Sequence, residues 1–353
     1  MVIFIVNIIR VEDAVELDKT VFIDVRSPVE YDGGHIPGAV NIPLFSNDER
    51  AQVGTLYKQV SVEDAKQMGL SFASTKLPAM IEQIRRLYKE KQNIVVYCWR
   101  GGMRSKAVVS VLEMMGVPSL QLLNGYKAYR QYVLDRLKQY EVKPTIIVLC
   151  GSTGTGKTMI IRQLAKRNFS AIDLEHLANH RGSVFGQIGL GKSATAQNFD
   201  AMLLQELDRL NNQPYIVVEC ESKRIGNVYL PECFYKAMKQ GKRLLLSTNM
   251  EIRIDRLIEE YLDVYQDQDN DEAIISSINS LRKRLGNKKT DRLLKDFNSG
   301  QIRTVVKDLL IEYYDPMYGY EKSDLANYEL LISADEVNQA TETIIQYLQQ
   351  LGR

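Results

Sequence analysis

Short apolar runs alternate along this chain with longer stretches in which apolar side chains recur every three or four positions. VFIDV (21–25), NIVVYC (93–98) and TIIVLC (145–150) are too short for helices and rich in β-branched residues, so they read as buried strands. Helical spacing is found at 77–90 and 104–115. The alternation resumes after 150, with strands expected at 170–174, 215–220, 243–248 and 328–333. Strands separated by helices in this way imply parallel sheets covered by helices, an α/β fold class. The opening run MVIFIVNII reads as a first strand, because no basic residue precedes it, Asn7 interrupts it and it is too short to span a bilayer. Ser27-Pro28-Val29-Glu30 reads as a capping box with proline at the first helical position, ended by Gly33-Gly34. Ser333 with Glu336 reads as the cap of a last helix, whose Val337, Ala340, Ile344, Leu348 and Leu351 form one apolar stripe.

Two interruptions divide this pattern. A polar helical stretch over 125–143 ends at Pro144, which sets a first domain of 1–140 apart from a second of 141–353. From about 250 to 314 the chain is helical and charged without a strand signal, so the second domain carries a helical insertion. A length of 353 residues suits two cores, and 45% hydrophobic with 25% charged residues excludes a disordered or membrane class. A net charge of +1 excludes strong global attraction to nucleic acid, so any RNA would be held by a local basic surface. Two such surfaces are candidates: Lys127, Arg130, Arg136, Lys138 and Lys143 near the boundary, and Arg282, Lys283, Arg284, Lys288, Lys289 and Arg292 in the insertion. The four cysteines form no CxxC pair, which fits reduced thiols in the cytoplasm, and no group of His, Cys and acids has metal-cage spacing.

Chemistry concentrates in two loops. Cys98 ends a buried strand, and Trp99-Arg100-Gly101-Gly102-Met103-Arg104-Ser105 leads into a helix. Backbone N–H groups at such a helix start, with Arg100 and Arg104, stabilise a thiolate and an anion beside it. The spacing serves chalcogen transfer and phosphate ester hydrolysis equally well. In the second loop Gly151, Gly154, Gly156, Lys157 and Thr158 lie between a strand and an amphipathic helix, the setting of a P-loop. Its amides and Lys157 would cradle a di- or triphosphate, and Thr158 can hold Mg²⁺. Asp173, Glu175, Glu219 and Glu221 follow expected strands at the carboxyl ends where such sheets bind ligands, and Arg181, Ser183 and Arg224 are candidate second anion contacts. His35 reads as bracing a turn.

IDVRSPVEY, GHIPGAVNIP and YCWRGGMRS resemble rhodanese signatures, although the arginine comes one position later than in common single-domain rhodaneses. The first domain is therefore expected to be rhodanese-like and the second P-loop NTPase-like. Together with ERAQVGTLYK, NGYKAYR, DLEHLANHRGSVFG and ESKRIG, the pairing resembles the tRNA 2-selenouridine synthase family, in which the longer loop is typical. The resemblance implies an enzyme, a selenotransferase with a geranyltransferase step, acting on the wobble 2-thiouridine of tRNAs for lysine, glutamate and glutamine. Its co-substrates would be geranyl diphosphate and selenophosphate, with no tightly bound cofactor and Mg²⁺ a candidate ion at the phosphate loop, and Cys98 would carry selenium as a selenosulfide. The competing reading is a Cys-x5-Arg phosphatase or sulfurtransferase fused to a small-molecule kinase, but WRGGMR offers no acid to protonate a leaving alcohol. Oligomeric state is not legible in the sequence.

Overall fold

A computed structural model describes residues 7–263, 268–318 and 322–351. The chain divides into two compact units, one of 1–139 with 195–204 and one of 140–194 with 205–353. Residues 1–6 of the expected first strand lie outside the described residues.

The first unit is built on β1 (Ile8–Ile9), β2 (Thr20–Asp24), β3 (Val40–Asn41), β4 (Asn93–Tyr97) and β5 (Leu120–Leu122), in the order β1-β5-β4-β2-β3. Every pairing is parallel, with Thr20 to Asp24 in register with Asn93 to Tyr97. Ile23, Ile84, Ile94, Val96, Val108 and Leu112 form its core, so the apolar runs are buried on both faces as parallel strands require. Pro28–Asp32 is a helix with the capping box at Ser27 and Glu30. The sequence pattern missed the helix Asn47–Gln59 and the first half of Val62–Glu90, which runs 29 residues through Pro78. Its buried positions there are Ala65, Gly69 and Ala73, small residues that pack closely but give little hydrophobic signal.

The second unit holds β6 (Thr145–Cys150), β7 (Ala171–Ile172), β8 (Tyr215–Glu219), β11 (Lys242–Ser247) and β12 (Leu330–Ser333), ordered β12-β11-β6-β8-β7 and parallel throughout. β9 (Arg224–Ile225) and β10 (Val228–Tyr229) form a separate antiparallel hairpin that the strand pattern did not predict. β7 is shorter than expected because Asp173 leaves the strand to cap the helix Leu174–Ala178. Ser333 does not cap the last helix: it ends β12, and the helix Val337–Leu351 starts with the Glu336 carbonyl accepting from Ala340 N–H. The charged stretch after 250 is helical as expected and buries its own core of Ile254, Ile278, Leu281, Leu293 and Leu310.

Candidate active sites: a thiol loop and a phosphate loop

Cys98 lies just beyond β4 at 3% exposure, ahead of the helix Met103–Met114. The loop between them is turned inside out. The Cys98 carbonyl accepts from Tyr126 N–H at 2.9 Å and the Trp99 carbonyl from Lys127 N–H at 3.0 Å, both donors being in the first turn of the helix Gly125–Lys138. Gln121 Nε2 donates to the Gly101 carbonyl at 2.8 Å and the Gly102 carbonyl at 3.3 Å. With these carbonyls engaged, one loop amide and a hydroxyl face the sulfur: Gly102 N–H donates to Sγ at 3.3 Å, and Ser105 Oγ stands 3.3 Å from it. Donors placed in this way favour an anion bound beside the sulfur.

Such closeness demands glycine at 125. Its φ is +58°, and a Cβ there would lie 2.2 Å from the Cys98 carbonyl oxygen and 2.5 Å from the Gly101 nitrogen. Gly125→Ala should therefore destabilise the first unit by about 2 kcal/mol or more and disorder the loop. Thermal unfolding and the rate of Cys98 alkylation would check this, and unchanged values of both would contradict it.

The two loop arginines differ in position. Arg100 is exposed beside the loop, whereas Arg104 is clamped by Glu30, with Nη1 to Oε2 at 2.7 Å and Nη2 to Oε1 at 3.3 Å. Burial opposes charge on Glu30, but the Arg104 hydrogen bond and its charge outweigh that and hold the carboxyl below its ordinary range. Arg104 is thus neutralised within the protein and acts chiefly to fix the capping-box helix against the loop. Below them Arg26, fully buried, pairs with Asp24 through Nη2 at 2.6 Å and lies 4.1 Å from the centre of the Tyr126 ring. His35 stacks on Tyr31 at 3.8 Å with Nδ1 3.0 Å from the Tyr31 carbonyl, a brace in the turn as expected.

The phosphate loop uses the same device. Lys157 Nζ donates to the carbonyls of Gly151 at 2.8 Å and Ser152 at 3.1 Å. Arg253 Nε donates to the Thr153 carbonyl at 2.8 Å, and Arg256 Nη1 to the Thr155 carbonyl at 3.1 Å. Side chains thus take up carbonyls along the loop, which leads directly into the start of the helix Lys157–Lys166, a place that favours an anion. Gly154 and Gly156 take φ of +81° and +89°, conformations that favour glycine. Arg253, 6% exposed and paired with Asp315 at 2.6 Å, and Arg256 were not singled out in the sequence. Their spacing of three in MEIRIDRLI was the available signal, since it sets both on one helix face.

Three of the four candidate acids gather beside this loop. Thr158 Oγ1 donates to Glu175 Oε2 at 2.9 Å. Glu219, fully buried, accepts from Leu174 N–H at 3.1 Å through Oε2, while its Oε1 has no partner. Burial raises all three carboxyls: Glu175 to about 7, Glu221 to about 8, and Glu219 well above the ordinary value with Asp173 and Glu175 adding repulsion. An oxygen donor set of a hydroxyl, a carboxylate and an unpartnered buried oxygen fits Mg²⁺, which takes few protein ligands and completes its shell from phosphate and water. Among the described residues no group of three or more His, Cys, Asp and Glu forms a cage.

These shifts have a pH consequence. The folded chain keeps Glu221 protonated where the unfolded chain has ionised it, so its contribution weakens as pH rises from the ordinary glutamate range through about 8. Glu221→Gln should leave Tm nearly unchanged at pH 5 and raise it by roughly 2–4 °C at pH 8.5. An equal shift at both pH values would contradict the assignment.

A family model described as tRNA 2-selenouridine synthase AAA domain matches residues 144–351, and one for a rhodanese-like domain matches 10–132. The tRNA 2-selenouridine synthase of Pseudomonas syringae pv. syringae (strain B728a) is 34% identical over 343 residues, covering 89% of this chain and 91% of that protein. The chain belongs to the tRNA 2-selenouridine synthase family. A relative of that name from Hydrogenovibrio crunogenus (strain DSM 25203 / XCL-2) is 35% identical over 336 residues, covering 88% of this chain and 91% of its own.

In this family member the remaining candidates are engaged otherwise than the sequence suggested. Asp173 caps its helix by accepting from His176 N–H at 2.8 Å and pairs with Arg162 at 2.7 Å, while its charge still bears on Glu219 and Glu175. Arg181 pairs with Glu260 at 2.7 Å, and Ser183 hydrogen-bonds Tyr261, so neither presents a free anion contact. Arg224 donates to the Gly226 carbonyl at 2.7 Å and is exposed on the β9–β10 hairpin. Among the described residues no helix is long and apolar enough to cross a membrane.

Proposed function

We propose that this chain is an enzyme that replaces the sulfur of 2-thiouridine at the wobble position of tRNA by selenium, in two steps served by the two loops. The observation that carries the reading is the joint presence, in a member of this family, of a buried thiol that accepts from a loop amide and of a glycine-rich phosphate loop with Lys157 and Thr158 at the start of a helix. In the first step the 2-thio sulfur bonds to C1 of geranyl diphosphate, the C–O bond breaks, diphosphate leaves with the electron pair and N3 loses its proton. The loop amides and Lys157 meet the charge that develops on the leaving diphosphate. Mg²⁺, which would be held by Thr158, Glu175 and Glu219, supplies further charge neutralisation there.

In the second step selenium from selenophosphate replaces the geranylthio group. A selenosulfide on Cys98 formed directly from a thiol and selenophosphate, with orthophosphate released, leaves two electrons without an acceptor. A displacement route balances: the Cys98 thiolate displaces geranylthiol at C2, selenium of selenophosphate displaces Cys98, and water cleaves the P–Se bond to give phosphate. No atom changes oxidation state. Arg100 and the loop amides would bind the phosphoryl group. The partners are the tRNAs for lysine, glutamate and glutamine.

The basic surfaces are more neutralised than the sequence implied. Arg282 pairs with Asp291, Lys289 with Glu312, Arg292 with Asp308 and Glu312, and Arg130 with Asp200. Lys288→Ala should lower the slope of log tRNA affinity against log salt by about 1, and Lys289→Ala by less. Salt titrations of tRNA binding test this, and identical slopes for wild type and Lys288→Ala would exclude the insertion from the RNA surface. The whole reading is tested by nucleoside mass spectrometry of 2-thiouridine tRNA incubated with protein, geranyl diphosphate and selenophosphate.

A further inference from the structure

The loop that holds Cys98 also carries a residue that the sulfur chemistry does not use. Trp99 is the single tryptophan of the chain, and it stands 38% exposed next to a cysteine at 3%. Tryptophan is a residue that folding usually buries, and leaving so much apolar surface in water costs free energy unless a ligand covers it. Its position is nonetheless fixed. The Trp99 carbonyl accepts from Lys127 N–H at 3.0 Å. The ring lies 5.8 Å from that of Tyr126, with planes tilted by 42°, and the Arg26 guanidinium stands 5.9 Å from its centre. Tyr126 and Arg26 are both buried, so protein backs part of the indole and solvent reaches the rest. Arg100, exposed, follows it, and the loop from Cys98 to Ser105 contains no acid. A rigid aromatic surface, exposed beside a cation and on a loop without negative charge, suits a nucleobase on its phosphate backbone.

We infer that Trp99 is the stacking platform for the wobble base, holding it turned out of the RNA with C2 presented to Cys98. The inference rests on the reading above that the thiol loop works on that base, and deepens it by naming what positions the substrate. A base whose C2 is to meet a buried sulfur must leave its neighbours in the RNA, and the lost stacking costs free energy. The indole replaces that stacking, and does so beside the sulfur because the two residues are adjacent in the chain. Every base has a π-face whatever its substituents, so the same platform holds the base before and after the exchange at C2.

Because the chain has one tryptophan, fluorescence excited beyond tyrosine absorption reports this residue alone. The full-length protein is saturated with one of two anticodon stem-loop RNAs, carrying either 2-thiouridine or an abasic nucleotide at the wobble position. Binding is followed separately by the anisotropy of a label on the RNA stem, and access to the indole by acrylamide quenching. The thiouridine RNA should lower the quenching constant about twofold or more, since a base laid on the indole shields it, and the abasic RNA should leave it near that of free protein. Equal effects of the two bound RNAs overturn the platform and leave the selenation reading standing. Binding of neither RNA overturns both. Selenium incorporation into geranylated stem-loop gives an independent measurement. Trp99→Leu keeps an apolar side chain against Tyr126 without an aromatic face, and should lower kcat/KM roughly tenfold or more, the loss of one base–aromatic stack. Trp99→Phe retains a face and should stay within about threefold of wild type. An unchanged kcat/KM in folded Trp99→Leu, or equal losses in the two variants, overturns the platform.

Discussion

Lys157→Ala is expected to slow geranylation of 2-thiouridine tRNA by roughly a hundredfold or more while leaving the thiol loop intact. Lys157 Nζ bonds the Gly151 and Ser152 carbonyls, within the curl of the loop where a diphosphate would sit. Its removal takes away a full positive charge at the point where the leaving group gains negative charge, which is where charge has its largest effect on rate. It also leaves two loop carbonyls without that donor, so the cradle should slacken. Single-turnover assays with geranyl diphosphate and no selenophosphate read the step directly. When tRNA that already carries the geranyl group is supplied, selenium incorporation by this variant should be near normal. A variant defective in both half-reactions despite normal folding would contradict the division of labour.

Cys98→Ala is expected to have the complementary defect: geranylated tRNA accumulates and selenium does not enter. Sγ is the atom on which Gly102 N–H and Ser105 Oγ converge, and alanine keeps the buried volume without a nucleophile. At 3% exposure a substitution that leaves the fold intact is plausible only for a small residue, so alanine is preferred to a larger isostere. The expected loss of the second half-reaction is roughly 10³-fold or more, as for other enzymes stripped of their nucleophile. Geranylation that falls in parallel would mean that the thiol loop takes part in the first step as well.

Much of this arrangement was legible because both loops announce themselves locally. A strand, a run of glycines and a helix lie in sequence order, so Cys98 and Lys157 could be placed before any tertiary contact was known. What brings distant residues to those loops was not legible. Gln121, Arg253 and Arg256 all bond loop atoms, yet each is set there by packing of an element that carries no motif, and NGYKAYR gives no sign that its Gly125 packs against the Cys98 loop. Charge partners were equally hidden: Arg104 reads as a free cation until Glu30, 74 residues earlier, closes on it, and Arg181 until Glu260 does. The acids show the same limit in reverse, since Asp173 and Glu175 are two residues apart in sequence, but one caps a helix and the other meets Thr158. Small-residue helix faces such as Ala65, Gly69 and Ala73 account for the helical region that periodicity missed.

The central claim is that one chain carries two separable chemistries on one tRNA base, and a single time course tests it. The full-length protein is mixed with 2-thiouridine tRNA and geranyl diphosphate, selenophosphate is added after a delay, and nucleosides are followed by mass spectrometry. The account predicts S-geranyl-2-thiouridine before the addition and its conversion to 2-selenouridine afterwards, with geranylthiol released in equal amount. Selenouridine formed without geranyl diphosphate, or no change in the base at all, would contradict it.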